Sequence, residues 1–161
     1  MARLLIIWYS RTGGSEAMAQ AAFAGASDEA EVVLQRAHDA TPADLLAADG
    51  YLFACPENLA SMSGAMKEFF DRCYYPLLGQ IEARPYAAMI CAGSNGEGAA
   101  RQIARICTGW RLKPVAEPLI VLTGAQSADA IAAPKVIAER DLARCRDLGA
   151  LMGAGLAMGV F

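Results

Sequence analysis

Histidine is almost missing from this chain of 161 residues, where His38 stands alone. A Ser-His-Asp hydrolase has only that one residue to draw on, no GxSxG elbow accompanies it, and it follows the second predicted strand, away from where a crevice is expected. Clustered metal ligands are missing too. Five cysteines (Cys55, Cys73, Cys91, Cys107 and Cys145) form an odd set without a CxxC pair, which reads as reduced thiols rather than a disulfide framework or a zinc site, and no metal-ligating residue is assigned. None of the five has an arginine six positions on, so a Cys-x5-Arg phosphatase loop is excluded. There is no basic excess either. Fourteen Lys and Arg against seventeen Asp and Glu leave a net charge of −3, which supplies no face for nucleic acid. Long apolar runs are lacking as well: the longest uncharged stretch is the fourteen residues 148–161, against about 20 for a membrane span. The apolar run 4–9 is too short for a signal-peptide core, so a cytoplasmic protein is expected.

What the chain does have is apolar residue, 55% of the total, with only 19% charged. That is the composition of a globular chain able to bury roughly 70% of its unfolded surface, and one domain over 1–161 is the expectation. Five short aliphatic runs, at 4–9, 31–34, 51–55, 86–91 and 119–123, alternate with segments of helical periodicity. Such alternation predicts βαβ units around a parallel sheet. Helices are predicted over 15–24, 63–74, 97–108 and 134–152. In the second of these, Met66, Phe69, Phe70 and Cys73 share one face, and Pro76 is expected to stop it. Gly109 is the expected stop of the third. The last is expected to begin with Pro134 near its first position and to carry Ala138, Leu142, Cys145 and Met152 inward. The apolar tail 153–161 fits core packing and a subunit contact equally well.

In a five-stranded doubly wound sheet of order 2-1-3-4-5, ligands bind beyond the carboxyl ends of the strands, between strands one and three. Three loops converge there. The first is Ser10, Arg11, Thr12, Gly13, Gly14 and Ser15; the second is Pro56, Glu57, Asn58, Leu59, Ala60, Ser61 and Met62; the third is Gly93, Ser94, Asn95, Gly96, Glu97 and Gly98. Three hydroxyls and two glycines before a helix make the first loop an anion cradle. It has no lysine, so it is not a Walker A loop, and a monophosphate ester suits it better than a triphosphate. The acidic pair of a phosphoreceiver domain is absent too, because Arg3 and Ser10 flank the first strand. Together the three loops suit one flat ligand with a phosphate at one end.

The segments YSRTGGS, PENLASMSGAMKEFFDRCYYP and CAGSNGEGAARQ resemble the flavodoxin-like proteins, and most of all their FMN-dependent NAD(P)H:quinone oxidoreductase and flavin reductase branch. The resemblance runs over nearly the whole chain and implies a flavodoxin-like three-layer α/β sandwich. It implies that residues 10–15 hold the phosphate of FMN, that 56–62 run along the isoalloxazine, and that 93–98, through Gly93, Ser94, Asn95, Gly96 and Gly98, close its other side. The flavin then carries the chemistry, NAD(P)H is the transient hydride donor, and no side chain is assigned a catalytic role. Asp71 and Arg72 match a recurring family position, to which a structural role is assigned. Glu57 departs from the pattern. A carboxylate facing the ring disfavours the anionic reduced flavin, and one turned to solvent does not.

Electron-carrier flavodoxins sandwich the flavin between aromatic side chains and are strongly acidic, and neither feature is found here. No Trp, Tyr or Phe occurs in 56–62 or 93–98. An open ring face favours an oxidoreductase acting on quinones or related small acceptors; an electron carrier and a non-catalytic interaction module are the alternatives. Tyr9, Tyr74, Tyr75 or Trp110 remain available to cover the ring. Tyr74, Tyr75, Pro76 and the tail are candidate contacts of a homo-oligomer. NADH against NADPH, the acceptor and the oligomeric state are not legible.

Overall fold

The computed structural model describes residues 1–161. Its centre is a parallel sheet built from β1 (Arg3–Trp8), β2 (Glu31–Arg36), β3 (Gly50–Asn58) and β5 (Pro85–Ala92), flanked at one edge by β6 (Lys113–Pro114) and β7 (Leu119–Leu122). A short β4 (Ser61–Met62) pairs antiparallel with the end of β3. The path through the sheet is β2-β1-β3-β5-β6, with β7 also on β5. Every residue of β5 is buried, as are the first six of β3, because helices cover both faces of the sheet.

The expected five strands are therefore seven. Beyond β5 the edge position is divided between β6, which pairs at Pro85 and Tyr86, and β7, which pairs from Met89 to Ala92. Two prolines account for the break: Pro114 and Pro118 bracket it, and neither has an N–H to give the ladder. The extra strand β4 comes from a two-residue turn at Leu59 and Ala60, both left-handed at φ 53° and 63°, which folds Ser61 and Met62 back on Glu57 and Asn58.

Alternation along each strand sorts the core into two layers. Leu5, Ile7, Tyr51, Phe53, Cys55, Ala88 and Ile90 face α3 (Gly64–Leu77) and α4 (Glu97–Gly109). There Phe53 touches Phe69 and Phe70, and Phe70 meets the buried Trp110, whose indole N–H donates to the Tyr74 carbonyl at 2.9 Å. Leu4, Ile6, Leu52, Ala54, Met89 and Cys91 face α1 (Gly14–Ala26) and α6 (Glu139–Met158). These two helices lie backbone to backbone. A Cβ on Gly149 would stand 2.0 Å from the Ala22 carbonyl oxygen, and one on Gly25 at the same distance from that of Arg146.

Several helix boundaries differ from expectation. Pro76 lies inside the last turn of α3, which ends one residue later at Leu77, so its missing N–H costs a hydrogen bond only where the helix is already ending. Gly109 is likewise the last residue of α4, and Trp110 caps it. The final helix starts at Glu139 rather than Pro134 and runs to Met158. Residues 134–138 are drawn across the start of α1, where the Lys135 N–H donates to the Thr12 carbonyl and Ile137 is buried. Ala138 is consequently an exposed N-cap, not a core residue. At the other end the helix continues through Gly153, which lies against Ala26, and the Phe161 ring folds back over Gly155, while Met158 and Val160 are exposed.

The smaller α2 (Pro42–Ala47) carries a full capping box between Thr41 and Asp44, and α5 (Ala128–Ala132) is capped by Ser127. Arg72 donates to the carbonyls of Ala37 and Ala40 while pairing with Glu68, which ties α3 to the turn after β2. No helix is long and apolar enough to cross a membrane.

Candidate functional site

The carboxyl ends of β1, β3 and β5 open on a cleft of about 390 Å³, within the range of small-molecule sites. It is lined by Arg11 and Thr12 of the first loop, by Pro56, Glu57, Asn58, Leu59 and Ala60 of the second, and by Gly93 and Ser94 of the third. These are the residues the structure brings together.

Ser10, Gly13, Gly14 and Ser15 do not line the cleft. The Ser10 hydroxyl accepts from the Gly13 N–H at 3.0 Å and so shapes the loop, while Gly13 takes the left-handed N-cap conformation at φ 95°. The N–H groups of Gly14, Ser15 and Glu16, in the first turn of α1, have no acceptor within the chain. Beside them the Ser15 hydroxyl is 2% exposed and has no hydrogen-bond partner. A buried orphan hydroxyl and three free N–H groups at a helix N-terminus are the donor set of an anion site. This set fits the phosphate of FMN. Gly14 is held to glycine by its neighbours, since a Cβ would stand 2.7 Å from the Cys91 sulfur.

The second loop is a strained hairpin. Type I′ turns favour Asn and Gly because both central residues take positive φ, yet here they are Leu59, fully exposed, and Ala60. Glu57, which lines the cleft, also holds the hairpin in place. Its carboxylate accepts from the N–H of Gly96 at 2.9 Å and from that of Ala99 at 3.0 Å, capping α4, whose own N-cap residue Gly96 has no side chain. Gly98 permits the approach: a Cβ there would lie 2.1 Å from the Ala60 carbonyl oxygen. Asn95 turns to the Glu97 N–H. Asn95, Gly96 and Gly98 thus build the α4 terminus and do not line the cleft. Ser61 and Met62 also point away. The Ser61 hydroxyl and the Met62 N–H both donate to the Gln102 side-chain oxygen, and the Met62 side chain is in the core.

Several lining residues had no marker in the three loops. Cys91, 7% exposed, comes from the end of β5; burial raises its thiol pKa, and the nearby Lys135 charge opposes that. Thr123 and Ala125 follow β7, and Ile131 and Lys135 come from α5 and the strand-like segment after it. A second cavity of about 400 Å³, lined from Val121 to Asp141, shares Thr123, Ala125 and Lys135 with the cleft. No aromatic residue lines the cleft. Tyr74 stacks on Trp110 at 5.6 Å, Tyr75 is packed edge-on to Tyr74, and Tyr9 lies against the α3 layer.

The chain is similar to several known proteins. Residues 20–126 match the family model of NADPH-dependent FMN reductase. A flavodoxin of Aquifex aeolicus (strain VF5) is 35% identical over 100 residues, which are 61% of this chain and 54% of that protein, so the match spans about half the length of this relative. Among solved structures, an archaeal flavodoxin superposes with a TM-score of 0.77 at 18% identity, covering 96% of this chain and 98% of that one. A flavodoxin, WrbA-like protein from Agrobacterium tumefaciens gives 0.72 at 20% identity over 99% of both chains. The rubredoxin oxygen:oxidoreductase of Desulfovibrio gigas gives 0.77 at 16% identity, covering 98% of this chain and 37% of that one. The structural likenesses establish the flavodoxin-like fold.

Proposed function

We propose, since the chain belongs to the NADPH-dependent FMN reductase family, that it is an FMN oxidoreductase that takes reducing equivalents from NAD(P)H and delivers them to a small acceptor such as a quinone. The observation that carries the reading is the orphan Ser15 hydroxyl with the free N–H groups of Gly14, Ser15 and Glu16, which follow directly on Arg11 and Thr12 in the lining of a cleft that has no aromatic side chain.

In this reading Thr12, Ser15 and the first turn of α1 hold the phosphate, and Ser10 keeps Gly13 in the conformation that aims those donors. Bound FMN supplies an isoalloxazine that takes up a hydride and gives electrons back. Backbone groups of Pro56, Glu57, Asn58, Leu59 and Ala60 would border one side of that ring, and Gly93 and Ser94 the other. The side chains there are small or turned out, Leu59 most of all, so a nicotinamide and then an acceptor have room to stack in turn. Ile131 and Ala125 line the remaining edge.

The first test is titration of the protein with FMN and with riboflavin, read by flavin fluorescence. FMN is expected to bind far more tightly, and the pair Thr12→Ala, Ser15→Ala to weaken FMN while leaving riboflavin nearly unchanged. Equal loss for both flavins refutes the phosphate site. Anaerobic addition of NADPH or NADH should then bleach the bound flavin and a quinone should restore it. A second reading, an electron carrier, draws on the name of the Aquifex relative. It predicts bleaching by a reductase partner but not by nicotinamide nucleotides alone.

A further inference from the structure

The first loop is electrically balanced before any ligand arrives. Arg11 is its only cation, and Glu16 in the first turn of α1 offsets it. A phosphate ester carries up to two negative charges, so donors without net charge leave much of its attraction unused.

A second cation stands at the same place but comes from more than a hundred residues away. Lys135 donates its backbone N–H to the Thr12 carbonyl at 2.8 Å, and its Cβ lies 3.4 Å from where a Cβ on Gly14 would be. Its root is therefore fixed on the loop itself, and it lines the cleft. Its ammonium pairs with no carboxylate. Instead it donates to the carbonyls of Ala130 and Ile131, each at 2.9 Å, and of Ala133 at 2.6 Å, around the end of α5. Three neutral carbonyls are weaker partners for an ammonium than a phosphate dianion, and a flexible four-carbon stem lets the charge turn from one to the other about a fixed root.

We propose that Lys135 is a phosphate-binding residue of the cleft, its ammonium exchanging the α5 carbonyls for phosphate oxygens when FMN enters. The inference rests on the FMN reading above and adds to it a cation that the loop lacks. It also couples binding to α5: releasing the carbonyls loosens the turn that carries Ile131, which lines the same cleft.

The test compares the full-length chain with Lys135→Gln and Lys135→Arg, titrated with FMN and riboflavin at low and high salt. Removal of the charge should weaken FMN about tenfold and leave riboflavin unchanged. Arginine should restore most of the loss, and high salt should shrink the wild-type preference for FMN more than that of the glutamine variant. Equal weakening of both flavins would reduce Lys135 to a support for α5 and overturn the proposal, as would an FMN affinity equal to wild type. Loss of the FMN preference in the wild-type chain would instead overturn the FMN reading itself. Should the glutamine variant not fold, hydrogen exchange on the wild type decides. FMN but not riboflavin should speed exchange of the Ile131 and Ala133 amides, which close α5 onto Ser127 and Asp129; unchanged exchange with FMN counts against the proposal.

Discussion

Removing the Glu57 carboxylate tests whether a strand-end side chain holds the α4 terminus from outside the helix. Two N–H groups, of Gly96 and Ala99, lose a charged acceptor in Glu57→Ala, and Gly96 has no side chain to replace it. A missing N-cap costs about 0.5–2 kcal/mol, and the interaction of a carboxylate with the helix dipole adds about 0.3–1 kcal/mol. The site is half-buried, so the sum belongs near the upper end, about 2–3 kcal/mol. For a chain of this length that lowers the thermal midpoint by roughly 4–12 °C. Glu57→Gln keeps one acceptor oxygen but turns an NH2 toward the other N–H, so about half the loss is expected. Thermal unfolding followed by circular dichroism, with urea unfolding as a check on the m-value, reads both. An alanine variant whose midpoint stays within about 1 °C of wild type would refute the capping role, and glutamine as damaging as alanine would show that geometry alone, not acceptor count, decides.

Burial pushes the thiols of Cys145 and Cys55 up to about 11 and about 12, and the Tyr86 phenol to about 12, from ordinary values of 9.0 and 10.0. The folded chain thus keeps protons that the unfolded chain releases. Stability should be complete below pH 9 and fall as pH rises toward 12, by on the order of 4 kcal/mol for Cys55 alone; level stability between pH 9 and about 11 in denaturant titrations would disprove the assignment. Gly149→Ala gains about 1 kcal/mol of helix propensity yet drives a methyl into the Ala22 backbone, so a net loss of about 2 kcal/mol is expected and any gain would show that α1 and α6 can separate. Leu59→Asn with Ala60→Gly relieves two left-handed residues and should raise stability by about 1–2 kcal/mol in urea unfolding; a lower midpoint would mean that the turn carries no strain.

The central strands were legible because β1, β3 and β5 are apolar on both faces, a pattern that neither a surface strand nor an amphipathic helix produces. The three loops could be located from the same reasoning, since topology alone puts their strand ends at one edge. What escaped depended on contacts distant in sequence. Glu57 finds its acceptor role in backbone N–H groups, which carry no residue signature, and Lys135 reaches the first loop through a chain path that bends where a helix start was expected. Pro134 misled because proline at a first helical position and proline in an extended segment share one backbone φ. The hairpin at Leu59 and Ala60 broke the rule used to find such turns. By contrast α2 announced itself in Thr41-Pro42-Ala43-Asp44, a capping box with proline at its start, and that signal was there to be used.

The two layers of the core also differ in how much of the chain each requires. The layer under α3 and α4 is assembled wholly from residues between Leu5 and Leu112, whereas the layer under α1 needs Ile137, Cys145, Leu148 and Met152 as well. During synthesis, a chain emerging from its N-terminus can close the first layer while α1 still waits for its partner helix on the ribosome. Until α6 appears, the alanine face of α1 and part of the sheet face beside it stay exposed to solvent and to other nascent chains. The arrival of α6 thus decides when the second layer closes.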